Sequence, residues 1–326
     1  MAVLLTVLLF SSGCLTACGR TNTEDPNQGT AASSKTETVP YSTQQMLLVL
    51  LSQKKHVQEV YTDKIWDTKV MSDGTPYKDI FFDEMKTFFC DMATMNRLAE
   101  EKNIQLSAGE KKKLDDAALR FTDSSVKITE ALKNMTAEET AQLFEQYILS
   151  GKVKDVLISE NRVEVSDSEA KVIVFDQIVV NSQETADGIL SRIQAGEDFY
   201  SLAQEYSDAG DIAVTAGRSD LKKEVADAAF SLENDEVSGI IQADGRYYIL
   251  KCVNSYDREE TAIRKKLLEK ERLRTTVRSV YVNFAAQHAV TMDAADWSRV
   301  LAKSSEEYEG EDFFSAVKEA VKNEGV

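Results

Sequence analysis

Lys171 to Val180 read KVIVFDQIVV, and a run of this kind admits few structures. Val172, Ile173, Val174 and Phe175 lead in, and Ile178, Val179 and Val180 lead out. β-Branched and aromatic residues at that density suit a mostly buried strand. Asp176 and Gln177 break the run at its centre. Buried polar groups cost free energy unless they find partners, so either the strand has one wet face or the pair belongs to a site.

The segments after this strand alternate in type. Asn181 with Glu184 resembles a helix start, Ala186, Ile189, Leu190 and Ile193 mark one helical face, and Gly196 ends it. A second short helix carries Phe199, Leu202, Ala203 and Tyr206 on one side. The loop SDAGD, a weak strand near Ile212 to Thr215 and a third helix around Glu224 to Phe230 follow. Two strands, Val237 to Gln242 and Tyr247 to Val253, flank Ala243-Asp244-Gly245-Arg246, and Asp-Gly is a strong hairpin signal.

Both flanks are helical in pattern. From Gln44 to about Val163, Phe81, Met85, Phe88, Met92, Met95 and Ala99 recur at alternating four and three, which lays one apolar stripe along a helix. Such a stripe is core, with Trp66 packed beneath it; the competing reading is a Met- and Phe-lined groove for unfolded chains. Ser107 with Glu110 and Thr136 with Glu139 are capping boxes that divide the region into several helices. From about Arg258 to His288 a long charged helix returns, with Leu273, Val277, Val280 and Phe284 on one face. A helix of this composition needs a docking partner, and the first helical region is the expected one. AVTMDAADW then suggests a brief extended segment and a buried Trp297. Phe313, Phe314, Val317 and Val321 leave the acidic tail either docked or free.

Composition narrows the function. The 326 residues are 43% hydrophobic and 29% charged, which suits a folded protein of about two domains with an ample core. A formal net charge of -17 repels phosphate backbones and anionic membrane surfaces, so no nucleic-acid partner is expected. Cys90 and Cys252 stand in no CxxC pattern and are read as free thiols, and His56 and His288 lack ligand spacing. No metal and no cofactor is expected.

The amino terminus offers another route to a membrane. Ala2 to Phe10 is an apolar run too short to span a bilayer, and it leads to Leu15-Thr16-Ala17-Cys18. This resembles a bacterial lipoprotein signal, in which Cys18 becomes the lipid-bearing first residue and anchors an extracytoplasmic protein; an ordinary secretory signal is the alternative. No Lys or Arg precedes the run, a departure from that pattern. Gly19 to about Thr43 holds almost no large apolar residue and reads as a disordered tether.

AGEDFYSLAQEYSD, VADAAFSL, EVSGII and YYILKCVNSYD, in this order within Lys171 to Tyr256, resemble the corresponding segments of parvulin-type peptidyl-prolyl isomerases. The lipobox and helical flanks are similar to those of the PrsA and SurA foldases. The resemblance implies an α+β chain: a helical chaperone module built from both chain ends, with an inserted parvulin-like domain of four antiparallel strands and surrounding helices. Expected boundaries are a signal at 1–18, the tether at 19–43, a helical chaperone region at 44–165, the parvulin-like domain at 166–256, a returning helix at 257–303 and an acidic tail at 304–326.

The resemblance also assigns a site. Gln177 falls where the family has its first histidine, Tyr248 where it has its second, and Ala209 where it has a Cys or Asp. Leu221 and Val225 map to the apolar pair of the proline pocket, with Phe230 as a further wall. AVTAGRSDL replaces the family's glycine-rich turn. The implied partners are unfolded or newly secreted polypeptides carrying X-Pro segments, and the implied activity is peptidyl-prolyl isomerisation, weakened because three polar positions are substituted. Two other readings stay open: a non-catalytic holdase whose site is retired, with Gln177 and Tyr248 satisfying each other, and a solute-binding lipoprotein. A homodimer through the helical module is compatible with the sequence.

Overall fold

The computed structural model describes residues 37–322. Cys18 and most of the expected tether lie outside them. Of the described residues, those up to Asn161 and from Thr276 onward form one compact unit, and Arg162–Thr275 form another.

The first unit opens with a short strand, β1 (Glu37–Thr38), and four helices: α1 (Thr43–Tyr61), α2 (Tyr77–Glu101), α3 (Ala108–Phe121) and α4 (Ala137–Glu160). Capping boxes start α1, α3 and α4 at Ser42 with Gln45, Ser107 with Glu110 and Thr136 with Glu139. In each, the hydroxyl accepts from the N3 amide while the N3 side chain accepts from the cap's own N–H, so two orphan donors are satisfied. Met46 to Leu51 are consecutive and at most 1% exposed, so α1 is surrounded on every side and forms the centre of the unit. Phe81, Met85, Phe88, Met92, Met95 and Ala99 of α2 are all buried, with Trp66 edge-on to Phe81 at 5.1 Å between ring centroids. The stripe is therefore core, and those residues are not available as a groove for unfolded chains.

The second unit contains α5 (Asp167–Ala170), β2 (Val172–Val180), α6 (Gln183–Gln194), α7 (Phe199–Tyr206), β3 (Ala213–Gly217), α8 (Lys223–Ala229), β4 (Ile241–Ala243), β5 (Arg246–Asn254) and the start of α9 (Arg258–Gln287). Four antiparallel strands run in the order β3-β2-β5-β4. The hairpin turn has Asp244 at φ 46 and Gly245 at φ 73, the two positive angles that a tight turn matching strand twist requires. One sheet face buries Ile178, Val180 and Ile249 against Ala186 and Ile189 of α6 and Phe199, Leu202 and Ala203 of α7. The other buries Ile173, Phe175, Leu250 and Cys252 against Val225 and Ala229 of α8.

Some local expectations shift. Ser182, not Asn181 with Glu184, caps α6, its hydroxyl accepting from the Thr185 amide. Gly196 does end that helix, at φ 95. Tyr206 is not packed inward with Phe199 and Leu202: it lies 36% exposed, where its ring is covered by the Arg192 guanidinium at 5.4 Å. The weak strand runs over Ala213–Gly217, and of the expected Val237 to Gln242 strand only Ile241 and Gln242 fall in β4, with Val237 making a single bridge to Lys251.

The last turns of α9 belong to the first unit. Val277, Tyr281 and Phe284 are buried there, so the inward face is rotated from the expected set in that Tyr281 replaces Val280. The Tyr281 hydroxyl donates to the Asp91 carboxylate of α2. β6 (Val290–Thr291) pairs parallel to β1, and α10 (Ala294–Ala302) and α11 (Phe313–Val321) complete the unit. The tail docks: Phe313 is fully buried between Phe144 and Tyr147, and the Ser52 hydroxyl accepts from the Phe313 amide at 2.8 Å while donating to Asp312.

Candidate functional site

Strand register sets which side chains can meet. Gln177 stands opposite Leu250, and Val179 opposite Tyr248. Opposed residues of an antiparallel pair share a face, so Gln177, Leu250 and Tyr248 share one, with Gln177 and Tyr248 as diagonal neighbours about 7–8 Å apart. Asp176, opposite Lys251, points to the other face. Burial pushes the Asp176 carboxyl above the usual range, and the Lys251 charge partly opposes that shift. The polar pair thus divides: Gln177 lies on the face covered by α8, and Asp176 does not.

Four of the expected residues come together on that face. Val225 is buried in the apolar cluster, and Leu221, Phe230 and Tyr248 pack against it half-buried. Leu221 precedes α8, Val225 is on it and Phe230 caps its C-terminus, so one stretch of chain supplies a wall that faces Tyr248 on β5. Cations frame the wall: the Arg218 guanidinium lies 4.9 Å and the Lys171 ammonium 5.7 Å from the Phe230 ring centroid. Arg218 is held in turn by Asp227 at 2.7 Å, and Lys223 by the same carboxylate, which the two cations, Lys223 foremost, keep below the usual range.

The polar groups of the site have partners other than each other. Gln177 donates its side-chain amide to the Asp211 carbonyl at 2.9 Å, and its backbone N–H to the Ile212 carbonyl at 2.9 Å. The Lys222 ammonium is paired with Asp244, which foremost raises it above its usual range, with nearby Tyr248 adding to the shift. The expected mutual satisfaction of Gln177 and Tyr248 is therefore not what the structure contains. Ala209 sits half-buried in the loop after α7, donating its N–H to the Ser207 hydroxyl at 3.2 Å. That hydroxyl also accepts from Val179 N–H, and Asp208 N–H donates to the Val179 carbonyl at 2.8 Å. The loop is strapped to β2 beside the site, but Ala209 brings no polar side chain to it.

Lys222 and Asp211 were not legible as site residues. Lys222 follows an assigned pocket residue, yet nothing in its local pattern announces its pairing with Asp244. Asp211 contributes a backbone carbonyl, which no residue type encodes. Two hollows of the helical unit are lined otherwise: one by Ile104, Leu106 and Leu149 among polar residues, another by Ile128, Thr129 and four glutamates, of which Glu306 accepts from Ala131 N–H. On the sheet face, half-buried Leu221, Phe230 and Tyr248 stand around buried Val225, with the Gln177 amide bonded to the Asp211 carbonyl.

Residues 159–265 match the PPIC-type PPIASE domain, so the second unit carries a parvulin-type fold. The chain is 34% identical over 171 residues to the foldase protein PrsA of Halalkalibacterium halodurans, covering 45% of this chain and 50% of that protein. It is 27% identical over 230 residues to foldase protein PrsA 1 of Bacillus cereus, covering 64% and 77% of the two chains. Among solved structures, the peptidylprolyl isomerase (PrsA) of Bacillus cereus aligns with a TM-score of 0.36 and 18% identity, over 74% of this chain and 99% of that one. In its match to the Halalkalibacterium protein the chain spans about half that relative's length.

Proposed function

We propose that this protein is an extracytoplasmic foldase, tethered to the cell membrane by lipid on Cys18, whose helical unit binds non-native secreted chains and whose sheet unit binds their X-Pro segments and accelerates cis/trans exchange. The observation that carries the reading is the convergence of Leu221, Val225, Phe230 and Tyr248 on the sheet face that also holds Gln177. Rotation about a peptide bond meets a barrier of about 18–20 kcal/mol and needs no nucleophile. X-Pro exchange takes tens to hundreds of seconds, slow enough to limit folding. An apolar bay that takes the ring out of water, with hydrogen-bond donors beside the twisted amide, is sufficient machinery.

Turnover is expected to be slow. Gln177 and Tyr248 stand where the resembling family has groups of a different kind, and the Gln177 amide is engaged by Asp211. That same observation favours the second reading, a holdase that binds proline segments without turnover. Magnetisation-transfer measurement of cis/trans exchange in a proline peptide separates the two. The foldase reading predicts acceleration that scales with protein concentration, and the holdase reading predicts none while aggregation of an unfolded client is still suppressed. Mass spectrometry of the membrane fraction tests the anchor, with a diacylglyceryl group on Cys18 as the expected result. Among the described residues no helix is long and apolar enough to cross a membrane.

A further inference from the structure

Behind the pocket wall, Arg264 of α9 is packed onto a turn with unusual closeness. Its guanidinium grips both oxygens of Asp220, at 2.6 and 3.0 Å, and donates to the Ser219 hydroxyl at 2.7 Å. Asp220 also accepts from Gly217 N–H at 2.9 Å, so turn and guanidinium share one carboxylate. Gly217 has φ -86, an angle any residue adopts, and its lack of a side chain is a matter of space. A Cβ built there would stand 2.3 Å from the guanidinium carbon and 2.4 Å from Nε of Arg264. The Nε is buried with no acceptor, so the side chain leaves one donor unsatisfied to hold this position.

The helix that supplies Arg264 is itself fixed to the sheet. Thr261, one turn earlier and 2% exposed, accepts from Val172 N–H at 2.9 Å, and Asp257 N–H donates to the Val172 carbonyl at 2.9 Å. Val172 is the register partner of Gly217. Leu221 follows the gripped turn directly, and α8 with Val225 and Phe230 follows Leu221. Beyond the grip, the pairing of Lys222 with Asp244 ties the segment to the β4–β5 hairpin.

We propose that Arg264 is the positioning residue of the proline-binding face: by pinning the Gly217–Asp220 turn it sets where Leu221 and α8 stand against Tyr248. The inference rests on the reading of that face as the proline site. The pair is bidentate and partly buried, with the Arg264 side chain 20% exposed, so its loss is expected to shift the wall and to lower stability as well. Planar bidentate contact with Asp220 and stacking on a bare glycine are both properties of a guanidinium that an ammonium lacks.

The test uses the full-length protein with methyl-labelled Leu and Val, as wild type, Arg264→Gln, Arg264→Lys, Gly217→Ala and the double variant Arg264→Gln/Gly217→Ala, titrated with an Ala-Ala-Pro-Phe peptide. Arg264→Gln and Gly217→Ala are each expected to weaken binding about tenfold, as a small misplacement of a binding wall does. Both should lose the cross-relaxation between Leu221 methyls and the Tyr248 ring, and Arg264→Lys should recover part of each effect. Because Gly217 acts only by leaving room for Arg264, the double variant should bind no more weakly than Arg264→Gln. Binding and Leu221–Tyr248 cross-relaxation unchanged in Arg264→Gln, or additive losses in the double variant, would overturn the proposal. If wild type does not bind the peptide, the proline-site reading falls; the cross-relaxation comparison still decides the clamp, its loss in Arg264→Gln supporting it and its survival overturning it.

Discussion

The side-chain amide of Gln177 donates to the backbone carbonyl of Asp211 at 2.9 Å, so the polar residue in the middle of the central strand holds down the loop that borders the site. Its backbone N–H bonds the next carbonyl of the same loop, that of Ile212. Gln177→Ala removes the side-chain half of this attachment. The expected loss is about 0.5–1.5 kcal/mol, the usual net worth of one such bond. Urea unfolding followed at the second unit measures it, and hydrogen exchange should quicken at Asp208 and Ala209. Unchanged exchange in that loop would show that the bond does not restrain it.

Docking of the carboxy-terminal helix is a core interaction. Phe313 is fully buried and packs edge-on to Phe144, with ring centroids 5.4 Å apart. Phe313→Ala should destabilise the helical unit by about 3–5 kcal/mol through lost transfer energy and the cavity left behind. Chemical denaturation monitored by Trp297 fluorescence is the measurement. A loss below about 1 kcal/mol would mean that the site collapses around the deletion or that α11 is undocked in solution.

Sequence legibility follows sequence distance. The Ser107 and Thr136 capping boxes were readable because donor and acceptor lie three residues apart, and the Asp-Gly turn because both strained angles fall on adjacent residues. The stripe on α2 was readable because burial repeats with helical period. Leu221, Val225, Phe230 and Tyr248 were assigned through family resemblance, since an apolar residue on a binding face and one in a core have the same local pattern. What escaped were pairings across long loops. Arg264 grips a carboxylate 44 positions away, and Tyr281 meets Asp91 across 190 positions. Each is set by packing of elements whose contact no local spacing records, and the Asp211 carbonyl that engages Gln177 belongs to this class.

Burial of the Asp91 carboxyl should make the helical unit more stable in mild acid. Burial pushes the Asp91 carboxyl up to about 6, with the Tyr281 hydrogen bond partly opposing. In the unfolded chain that carboxyl titrates near 3.9, so the folded state binds the proton more tightly. The resulting stabilisation is full below about pH 4 and is lost as pH rises through about 6. Two pKa units correspond to about 3 kcal/mol at most. Asp91→Asn, neutral throughout, removes this dependence. Denaturation midpoints at pH 4.5, 5.5 and 7 should show wild type losing ground to the variant as pH rises; a constant difference would contradict the burial of a titrating carboxyl there.

Cys252 should be inert while the protein is folded. It is fully buried, and burial pushes its thiol above the usual range, the Lys171 charge opposing. Thiolate is the reactive form, so labelling should be slow in native conditions and fast in denaturant. Cys90 is half-buried and serves as the internal comparison. Peptide mapping after a timed alkylation gives both rates, and labelling of native Cys252 as fast as in denaturant would contradict its place in the sheet core.

Peptide titration of the labelled full-length protein, read as residue-resolved shifts, bears most directly on whether the α8-covered face of the sheet takes proline segments. The account predicts shifts concentrated at Leu221, Val225, Phe230 and Tyr248 that disappear when the peptide's proline is replaced by alanine. Shifts confined to the helical unit, or identical with the alanine peptide, would contradict it.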